Sequence, residues 1–212
     1  MKKLFSLLLL IPMLSCQSKT SKSDWVVYPP ESYMQKLDTA TFAGGCFWCI
    51  EASFDQIKGV VQAVSGYSGG KASNAQYKLV SYGTTGHAET VQVYYDPEKV
   101  DYETLLDIFF TAHDPTQLNR QGPDVGTQYR TAIFYHNEDQ LKKAKAKIEA
   151  LQADYSEPIV TELNPYKAFY PAEDYHQDYE VNHPFNPYIM NVSKPKVEKV
   201  KEKFKEQLKD EH

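Results

Sequence analysis

The spacing of apolar residues along the chain predicts alternating strands and helices. Phe47, Ile50, Phe54 and Ile57 recur at the spacing of one helix face, and Gly59 ends that pattern. Elsewhere, runs that are β-branched or that alternate apolar with polar residues are typical of strands. The predicted strands are 38–43, 60–67, 90–95, 131–136 and 159–163. The predicted helices are 46–57, 75–80, 102–113, 138–153 and 196–209.

Two of the predicted helices begin at recognisable capping residues. Asp101 precedes the strongly apolar helix 102–113. Asn137 together with Gln140 resembles a capping box at the start of a long charged helix. Because strands and helices interleave without an internal repeat, we expect an α/β (α+β) protein with a mixed sheet covered by helices.

The first residues have the pattern of an export signal rather than of a folded element. Lys2 and Lys3 precede an apolar run, Leu4 to Leu14, of 11 residues, whereas a membrane-spanning helix needs about 20. The run ends in the letters MLSC and resembles a bacterial lipoprotein signal, in which cleavage exposes Cys16 for acylation. An ordinary signal peptide with an incidental cysteine is the alternative. Both interpretations export the protein, and the first makes it a cell-envelope lipoprotein, periplasmic or on the outer surface.

These patterns divide the chain into four segments. A polar stretch rich in serine and lysine follows Cys16 and is typical of a flexible tether. The predicted segments are a signal peptide at 1–15, a tether at 16–36, one globular domain at 37–190 and an amphipathic C-terminal helix at 191–212.

Composition and charge limit the classes of partner. The 212 residues carry a net charge of −5, and no basic block stands out, so we expect no nucleic-acid partner. Sixteen tyrosines and ten phenylalanines suit a packed globular domain. Three cysteines are an odd number for an exported protein. If Cys16 carries lipid, Cys46 and Cys49 are left as a pair.

The stretch GGCFWC at 44–49 places two cysteines one helical turn apart. Free backbone N–H groups at a helix start favour a thiolate at Cys46. Cys49 lies on the same face at a Cα separation that suits a disulfide. A structural disulfide is the alternative interpretation, although a loop this short removes little chain entropy. Phe47 and Trp48 are either core residues or an apolar wall beside the reactive sulfur, suited to a methyl group.

Four motifs, in order along the chain, closely resemble the peptide methionine-S-sulfoxide reductases. They are GCFWC, GHAE at 86–89, NRQGPDVGTQYRTAIF at 119–134 and FYPAEDYHQDY at 169–179. The resemblance extends from about residue 38 to residue 190. It implies a two-layer sandwich with a ferredoxin-like core and a catalytic cysteine at a helix N-terminus. The domain at 37–190 would then be the catalytic domain of such a reductase.

The same resemblance implies roles for individual residues. Cys46 matches the nucleophile and Glu89 the catalytic acid. Tyr77 and Tyr129 match the pair of tyrosines that hydrogen-bond the sulfoxide oxygen, and Asp124 matches an acidic residue on the polar side of the pocket. In isolation, Glu89 has the alternative interpretation of a solvated carboxylate, and the tyrosines that of half-buried packing residues.

The implied reaction uses the two rings and the second cysteine as well. Phe47 and Trp48 would hold the S-methyl group of an oxidised methionine, free or in a protein or peptide. Attack would leave Cys46 as a sulfenic acid, which condenses readily with a neighbouring thiol. Cys49 is the remaining candidate, and a thioredoxin-like external dithiol would reopen the disulfide by exchange. We expect no bound cofactor and no metal, because the histidines lack ligand-like spacing beside the cysteines.

Some features depart from the family pattern, and two other functions compete with it. Many members recycle through a cysteine near the C-terminus, whereas this chain has none after Cys49. We expect His176 to support the motif structurally and His87 to shape its loop. A thioredoxin-like disulfide oxidoreductase would explain the cysteine pair but leave Glu89 and the tyrosines unexplained. A lipid-anchored binding protein would leave both thiols unexplained.

Overall fold

The computed structural model describes residues 35–210. The predicted signal peptide, Cys16 and most of the predicted tether therefore lie outside the described residues. Eight strands are found between these limits: β1 (Asp38–Gly44), β2 (Val60–Ser68), β3 (Ala88–Tyr95), β4 (Arg120–Gln121), β5 (Asp124–Val125), β6 (Thr131–Tyr135), β7 (Glu162–Pro165) and β8 (Phe169–Pro171). The α-helices are α1 (Phe47–Asp55), α2 (Tyr77–Val80), α3 (Tyr102–Ala112), α4 (Glu138–Leu151), α5 (Tyr179–Asn182) and α6 (Lys194–Lys203).

Six of the strands form one sheet in the order β7-β6-β1-β3-β2-β8. All neighbours are antiparallel except β6 and β7, which run parallel. The connection β1-α1-β2-β3-α3-β6 places its four strands in the order of a ferredoxin-like core, with β6 and β2 outside β1 and β3. The mixed sheet with a ferredoxin-like core is therefore confirmed. Strands β4 and β5 form a separate small hairpin.

The main core lies between one face of this sheet and the helices. Phe42 of β1 is fully buried, and its ring stacks on Phe54 of α1 at 5.3 Å and on Phe109 of α3 at 4.9 Å between centroids. Helix α6 packs on α1 and α3. A second, smaller cluster of buried residues comes from β1, β3 and β6 and consists of Ala43, Ala88, Ala132 and Phe134.

Both predicted caps are present, one of them with a changed partner. Asp101 accepts a hydrogen bond from the Thr104 N–H at 2.7 Å, as the cap of α3. Asn137 accepts from the N–H of Gln140 at 2.9 Å at the start of α4. The side chain of Gln140 accepts from the His136 N–H at 2.9 Å rather than from the cap residue itself. The reciprocal bond of the capping box is therefore made to the residue before the N-cap, His136, instead of to Asn137.

The last two predicted elements differ in extent from the observed ones. The predicted helix 196–209 begins at Lys194 and ends at Lys203, because the chain then turns to hydrogen-bond the end of α1. There the N–H of Lys209 donates to the carbonyl of Gln56 at 2.7 Å. The strand predicted at 159–163 is observed at Glu162–Pro165, because pairing with β6 begins only at Glu162. No helix within residues 35–210 is long and apolar enough to cross a membrane.

Candidate active site

Cys46 lies in the short connection between β1 and α1. Pairing of β1 with β3, with Phe42 opposite Val91, brings the end of β1 beside the start of β3, which carries Glu89. Gly45 has a φ of +94°, and a Cβ there would lie 2.6 Å from the side chain of Gln121. The chain can therefore turn sharply only with glycine at this position. Cys46 is the N-cap residue of α1.

A cavity of about 150 Å³ opens at this helix start. It is smaller than the roughly 300 to 1,000 Å³ of pockets that take drug-sized ligands, so it has room for the end of one side chain. Its lining contains every residue that the sequence placed in the site, apart from Cys49, and one more, Tyr188. The lining residues are Cys46, Phe47, Trp48, Tyr77, Glu89, Asp124, Tyr129 and Tyr188.

The Glu89 side chain is buried rather than solvated, with 2% of its surface exposed. One carboxylate oxygen accepts a hydrogen bond from the N–H of Phe47 at 3.1 Å, in the first turn of α1. Burial raises the pKa of Glu89 to about 8, and the charges of Asp124 and Cys49 act in the same direction. Glu89 is therefore protonated at neutral pH, as a proton donor must be.

The two cysteines are free thiols, both buried, and they share a hydrogen bond. Burial raises the pKa of Cys46 well above its ordinary value, and the hydrogen bond with Cys49 and the negative charges of Cys49 and Glu89 act in the same direction. The hydrogen bond from Cys46 lowers the pKa of Cys49. The structure thus differs from the expected thiolate at Cys46. The physical reason is burial of the sulfur, which disfavours its charged form. In addition, the N–H of Phe47 is donated to Glu89 rather than to the sulfur.

The two aromatic residues of the motif serve both as core and as cavity wall. Phe47 is 1% exposed, and its ring lies 5.0 Å from that of His176. Trp48 stacks on Tyr179 at 3.7 Å between centroids and donates its indole N–H to Nδ1 of His176 at 3.2 Å. Burial lowers the pKa of His176 to about 4, which keeps the ring neutral and able to accept this bond. His176 therefore supports Trp48, as the sequence predicted.

The polar side of the cavity presents two phenols that stay protonated. Burial raises the pKa of Tyr77 to about 12, and it raises that of Tyr129 further. Glu173 fixes the first turn of α2, because its carboxylate accepts from the N–H of Tyr77 at 2.9 Å. Tyr77 and Tyr129 are therefore available as hydrogen-bond donors near neutral pH.

Tyr188 is the lining residue that sequence reasoning missed. Its hydroxyl donates to Asp124 Oδ2 at 2.5 Å and also reaches the sulfur of Cys46. It lies beyond the last of the four motifs, in a turn-rich stretch whose spacing carries no signal. His87, by contrast, does not line the cavity. Its Nδ1 accepts from the Gly70 N–H at 3.2 Å, so it shapes the loop as expected.

A pair of buried thiols, a protonated carboxyl and phenol donors around one small cavity define a thiol-dependent oxidoreductase site. The family model for peptide methionine sulfoxide reductase matches residues 38–208. The chain belongs to this family.

Individual relatives and solved structures are similar over most of the chain. It is 57% identical over 167 residues to a peptide methionine sulfoxide reductase MsrA of Pasteurella multocida, covering 79% of this chain and 96% of that protein. It is 51% identical over 171 residues to the MsrA of Thermus thermophilus, covering 81% and 97%.

Two solved structures share the fold. Mxr1 of Saccharomyces cerevisiae in reduced form superposes with a TM-score of 0.68 at 38% identity, covering 75% of this chain and 90% of that one. Methionine sulfoxide reductase A of Corynebacterium diphtheriae superposes with a TM-score of 0.64 at 35% identity, covering 71% and 77%.

Proposed function

We propose that this protein reduces the S epimer of methionine sulfoxide to methionine, in proteins and peptides and as the free amino acid. The main support for the proposal is that Cys46, the protonated Glu89, two phenols and an aromatic wall all line one and the same cavity. Family membership supports the reaction, and the two-sided cavity supports the choice of one epimer.

Binding uses the difference between the two sides of the cavity. The S-methyl group packs against Phe47 and Trp48, where an apolar group loses contact with water. The sulfoxide oxygen accepts hydrogen bonds from Tyr77 and Tyr129, and Glu89 reaches the same side. With methyl and oxygen fixed in this way, only one arrangement around sulfur brings the sulfur toward Cys46.

In the first step the Cys46 sulfur attacks the sulfoxide sulfur. Glu89 donates its proton to the oxygen as the S–S bond forms, which makes the sulfoxide sulfur electrophilic. The Cys46 thiol releases its own proton, which restores the carboxyl of Glu89. The oxygen is transferred to Cys46, so that methionine leaves and a sulfenic acid remains. The sum is sulfoxide plus thiol giving thioether plus sulfenic acid, without a net change in protons.

The second and third steps return the enzyme to its dithiol form. The Cys49 sulfur displaces the oxygen of the sulfenic acid, giving the Cys46–Cys49 disulfide and water. An external dithiol, in our proposal a thioredoxin-like protein, then reduces the disulfide by exchange and is itself oxidised. Asp124 contributes by accepting from Tyr188, whose hydroxyl stands between the carboxylate and the Cys46 sulfur.

We also propose that the protein acts outside the cytoplasm on oxidised proteins of the cell envelope. The support is the N-terminal sequence, with its two lysines, its 11-residue apolar run and Cys16 at the cleavage pattern. A lipid on Cys16 would hold the enzyme at a membrane through the polar tether, and the reaction would repair oxidative damage to exported proteins.

The epimer test decides the central proposal. With dithiothreitol as reductant, the protein is expected to convert a purified methionine-S-sulfoxide peptide to the methionine form and to leave the R epimer unchanged. Cys46→Ser, as control, should convert neither. Equal turnover of the two epimers would contradict the proposed binding geometry.

A further inference from the structure

The side chain of Lys196, in the first turns of α6, carries a buried amine. Its Nζ has no hydrogen-bond partner among residues 35–210 and is shielded from solvent. Burying a charged amine without a partner costs several kcal/mol unless it is compensated electrostatically. The described contacts give this amine no hydrogen-bonding partner, and the steps described so far do not use it.

The charge of Lys196 acts on the sulfur of Cys49, in the helix against which α6 packs. Helix α6 packs on α1, which carries Cys49. One helical turn before Lys196, Ser193 is fully buried, hydrogen-bonds Cys49 and donates to the carboxylate of Glu180. The positive charge of Lys196 lowers the pKa of Cys49, and the negative charge of Glu180 acts in the opposite direction.

We propose that Lys196 is a positioning residue that stabilises the thiolate of Cys49 in both halves of the redox cycle. The inference rests on the proposed function and assigns to the buried amine the control of disulfide formation and disulfide opening. Lys196 does not line the substrate cavity, so the attack on the sulfoxide should not depend on it.

During disulfide formation, Cys49 is the nucleophile. Its proton passes to the departing oxygen of the Cys46 sulfenic acid, the S–O bond breaks, the S–S bond forms and water leaves. Since the thiolate rather than the thiol attacks, a nearby cation increases the reactive fraction of Cys49 at neutral pH.

During disulfide opening, the same cation determines which sulfur leaves. Cys46 lines the cavity, whereas Cys49 does not. A thiolate of the external dithiol attacks Cys46, forming a mixed disulfide there, while Cys49 leaves as a thiolate beside Lys196. A thiol of lower pKa is the better leaving group, so the charge of Lys196 favours this direction of opening. Electrons pass from the external dithiol to the Cys46–Cys49 disulfide.

The experiment is a single turnover of reduced enzyme with a methionine-S-sulfoxide peptide, in wild type and Lys196→Met. Three quantities are followed: methionine peptide released, sulfenic acid trapped on Cys46 by dimedone, and disulfide formed. Lys196→Met should release methionine at the wild-type rate and then form the disulfide about tenfold more slowly at pH 7, because a smaller fraction of Cys49 is thiolate. Dimedone trapping should rise accordingly, toward the level of Cys49→Ser, which has no resolving thiol.

The pH profile separates an electrostatic from a structural role. The groups that influence or respond to the charge of Cys49 are Cys46, Glu89, Tyr188, Glu180 and Lys196 itself. With the first step measured separately at each pH, disulfide formation in Lys196→Met should approach the wild-type rate as the pH rises to 9, because Cys49 then ionises without help. Lys196→Arg, which keeps the charge, should remain close to wild type.

Lys199→Met is the matched control, since it removes the same charge from an exposed position of α6. It should leave both steps unchanged. Wild-type disulfide formation in Lys196→Met would overturn the proposal, as would equal slowing by Lys199→Met. Equal loss of methionine release and disulfide formation would overturn it in favour of a structural role.

A trapping experiment tests the direction of opening. A thioredoxin that retains only its nucleophilic cysteine should form its mixed disulfide with Cys46 of the oxidised protein, and peptide mass mapping locates the bond. A mixed disulfide on Cys49 would overturn the leaving-group role. Failure of the proposed function itself is distinct, because the wild type would then release no methionine peptide.

Discussion

The reaction proposed for this site depends on keeping one carboxyl protonated next to a thiol. Glu89 achieves this through burial in β3, which outweighs the hydrogen bond from the N–H of Phe47. The same hydrogen bond removes from Cys46 a donor that would have favoured its thiolate. At rest both groups are therefore neutral, and the substrate oxygen becomes the acceptor toward which the proton moves.

Glu89→Gln is expected to slow the single-turnover release of methionine by about 10² to 10⁴ while leaving substrate binding nearly unchanged. An amide can hydrogen-bond the oxygen but cannot transfer the proton. In the wild type, the single-turnover rate should fall as the pH rises through about 8, because Glu89 is protonated only at pH values below its pKa. In Glu89→Gln, this fall in rate with rising pH should be absent.

Rapid-quench measurements between pH 6 and pH 9 test both expectations. Glu149→Gln, on the exposed side of α4, is the matched control and should behave as wild type. A Glu89→Gln protein with wild-type single-turnover rates at pH 7 would return this residue to a purely structural role.

The sequence predicted which side chains meet in the cavity, but not their protonation states. Motif resemblance located Cys46, Glu89 and the tyrosines without any knowledge of the cavity. It could not show that the N–H of Phe47 is donated to Glu89, because that contact joins residues 42 positions apart. Tyr188 was missed for a related reason, since its contact with α1, through the ring of Trp48, joins residues that are distant in the sequence.

Helix starts do much of the positioning in this protein. Gly44 and Gly45 allow the chain to pass from β1 to α1 within two residues, which places Cys46 at the mouth of the cavity. Helix α3 begins instead with a side-chain cap, Asp101. Phe109 of this helix stacks on Phe42 of β1, so the packing of α3 stabilises the strand that leads into Cys46.

Asp101→Ala is expected to lower the free energy of unfolding by about 1 kcal/mol, because the N–H of Thr104 loses its acceptor. Asp101→Asn, which keeps an acceptor oxygen at the same position, should lose less. Urea unfolding at pH 7 measures both differences. Equal losses for the two variants would mean that the charge, rather than the hydrogen bond, stabilises the start of α3.

Sequence patterns located the helices better than the ends of peripheral elements. Apolar spacing predicted α1, α3 and α4 closely, because their buried faces follow the helical period. The end of α6 was predicted wrongly. Leu208 continues the apolar stripe, yet the chain leaves the helix at Phe204 and pairs with the end of α1. That long-range pairing leaves no local signal.

The arrangement of the whole sheet brings distant segments of the chain to one cavity. Strand β3 lies between β1 and β2, so Glu89 reaches the N–H of Phe47 at the start of α1, 42 positions earlier in the chain. The hairpin of β4 and β5 brings Asp124 to the same cavity. Interleaving of elements predicted a covered mixed sheet, but strand order depends on tertiary packing and could not be derived from the residues alone.

Cys16→Ser is expected to release the protein from the membrane fraction of a bacterial host without changing its activity. The proposed lipid on Cys16 would be the membrane anchor, and the predicted tether would separate it from the catalytic residues. Fractionation and the mass of the N-terminal peptide measure the result. Cys46→Ser is the reciprocal control, expected to stay on the membrane and lose activity. A Cys16→Ser protein that remains membrane-bound would contradict lipid anchoring.

Stability should depend on pH through carboxyl groups that the fold holds protonated. Glu89 is one such group. Burial also raises the pKa of Asp55 to about 7 and the pKa of the neighbouring Glu51 well above its ordinary value. A carboxyl with a raised pKa in the folded state binds its proton more tightly there than in the unfolded chain. Its contribution to stability is therefore fully present below about pH 4 and is lost as the pH rises through 7.

Asp55→Asn is expected to gain stability relative to the wild type as the pH rises from 4 to 8. The amide keeps the oxygen that accepts from the N–H of Ala63 and has no proton to lose. At roughly 1.4 kcal/mol per pKa unit, reduced for partial solvent contact, the gain should be on the order of 2 kcal/mol. Urea unfolding across this range measures it, with Asp154→Asn, at an exposed position, as control. A difference between Asp55→Asn and wild type that does not change with pH would show that Asp55 ionises equally in the folded and unfolded states.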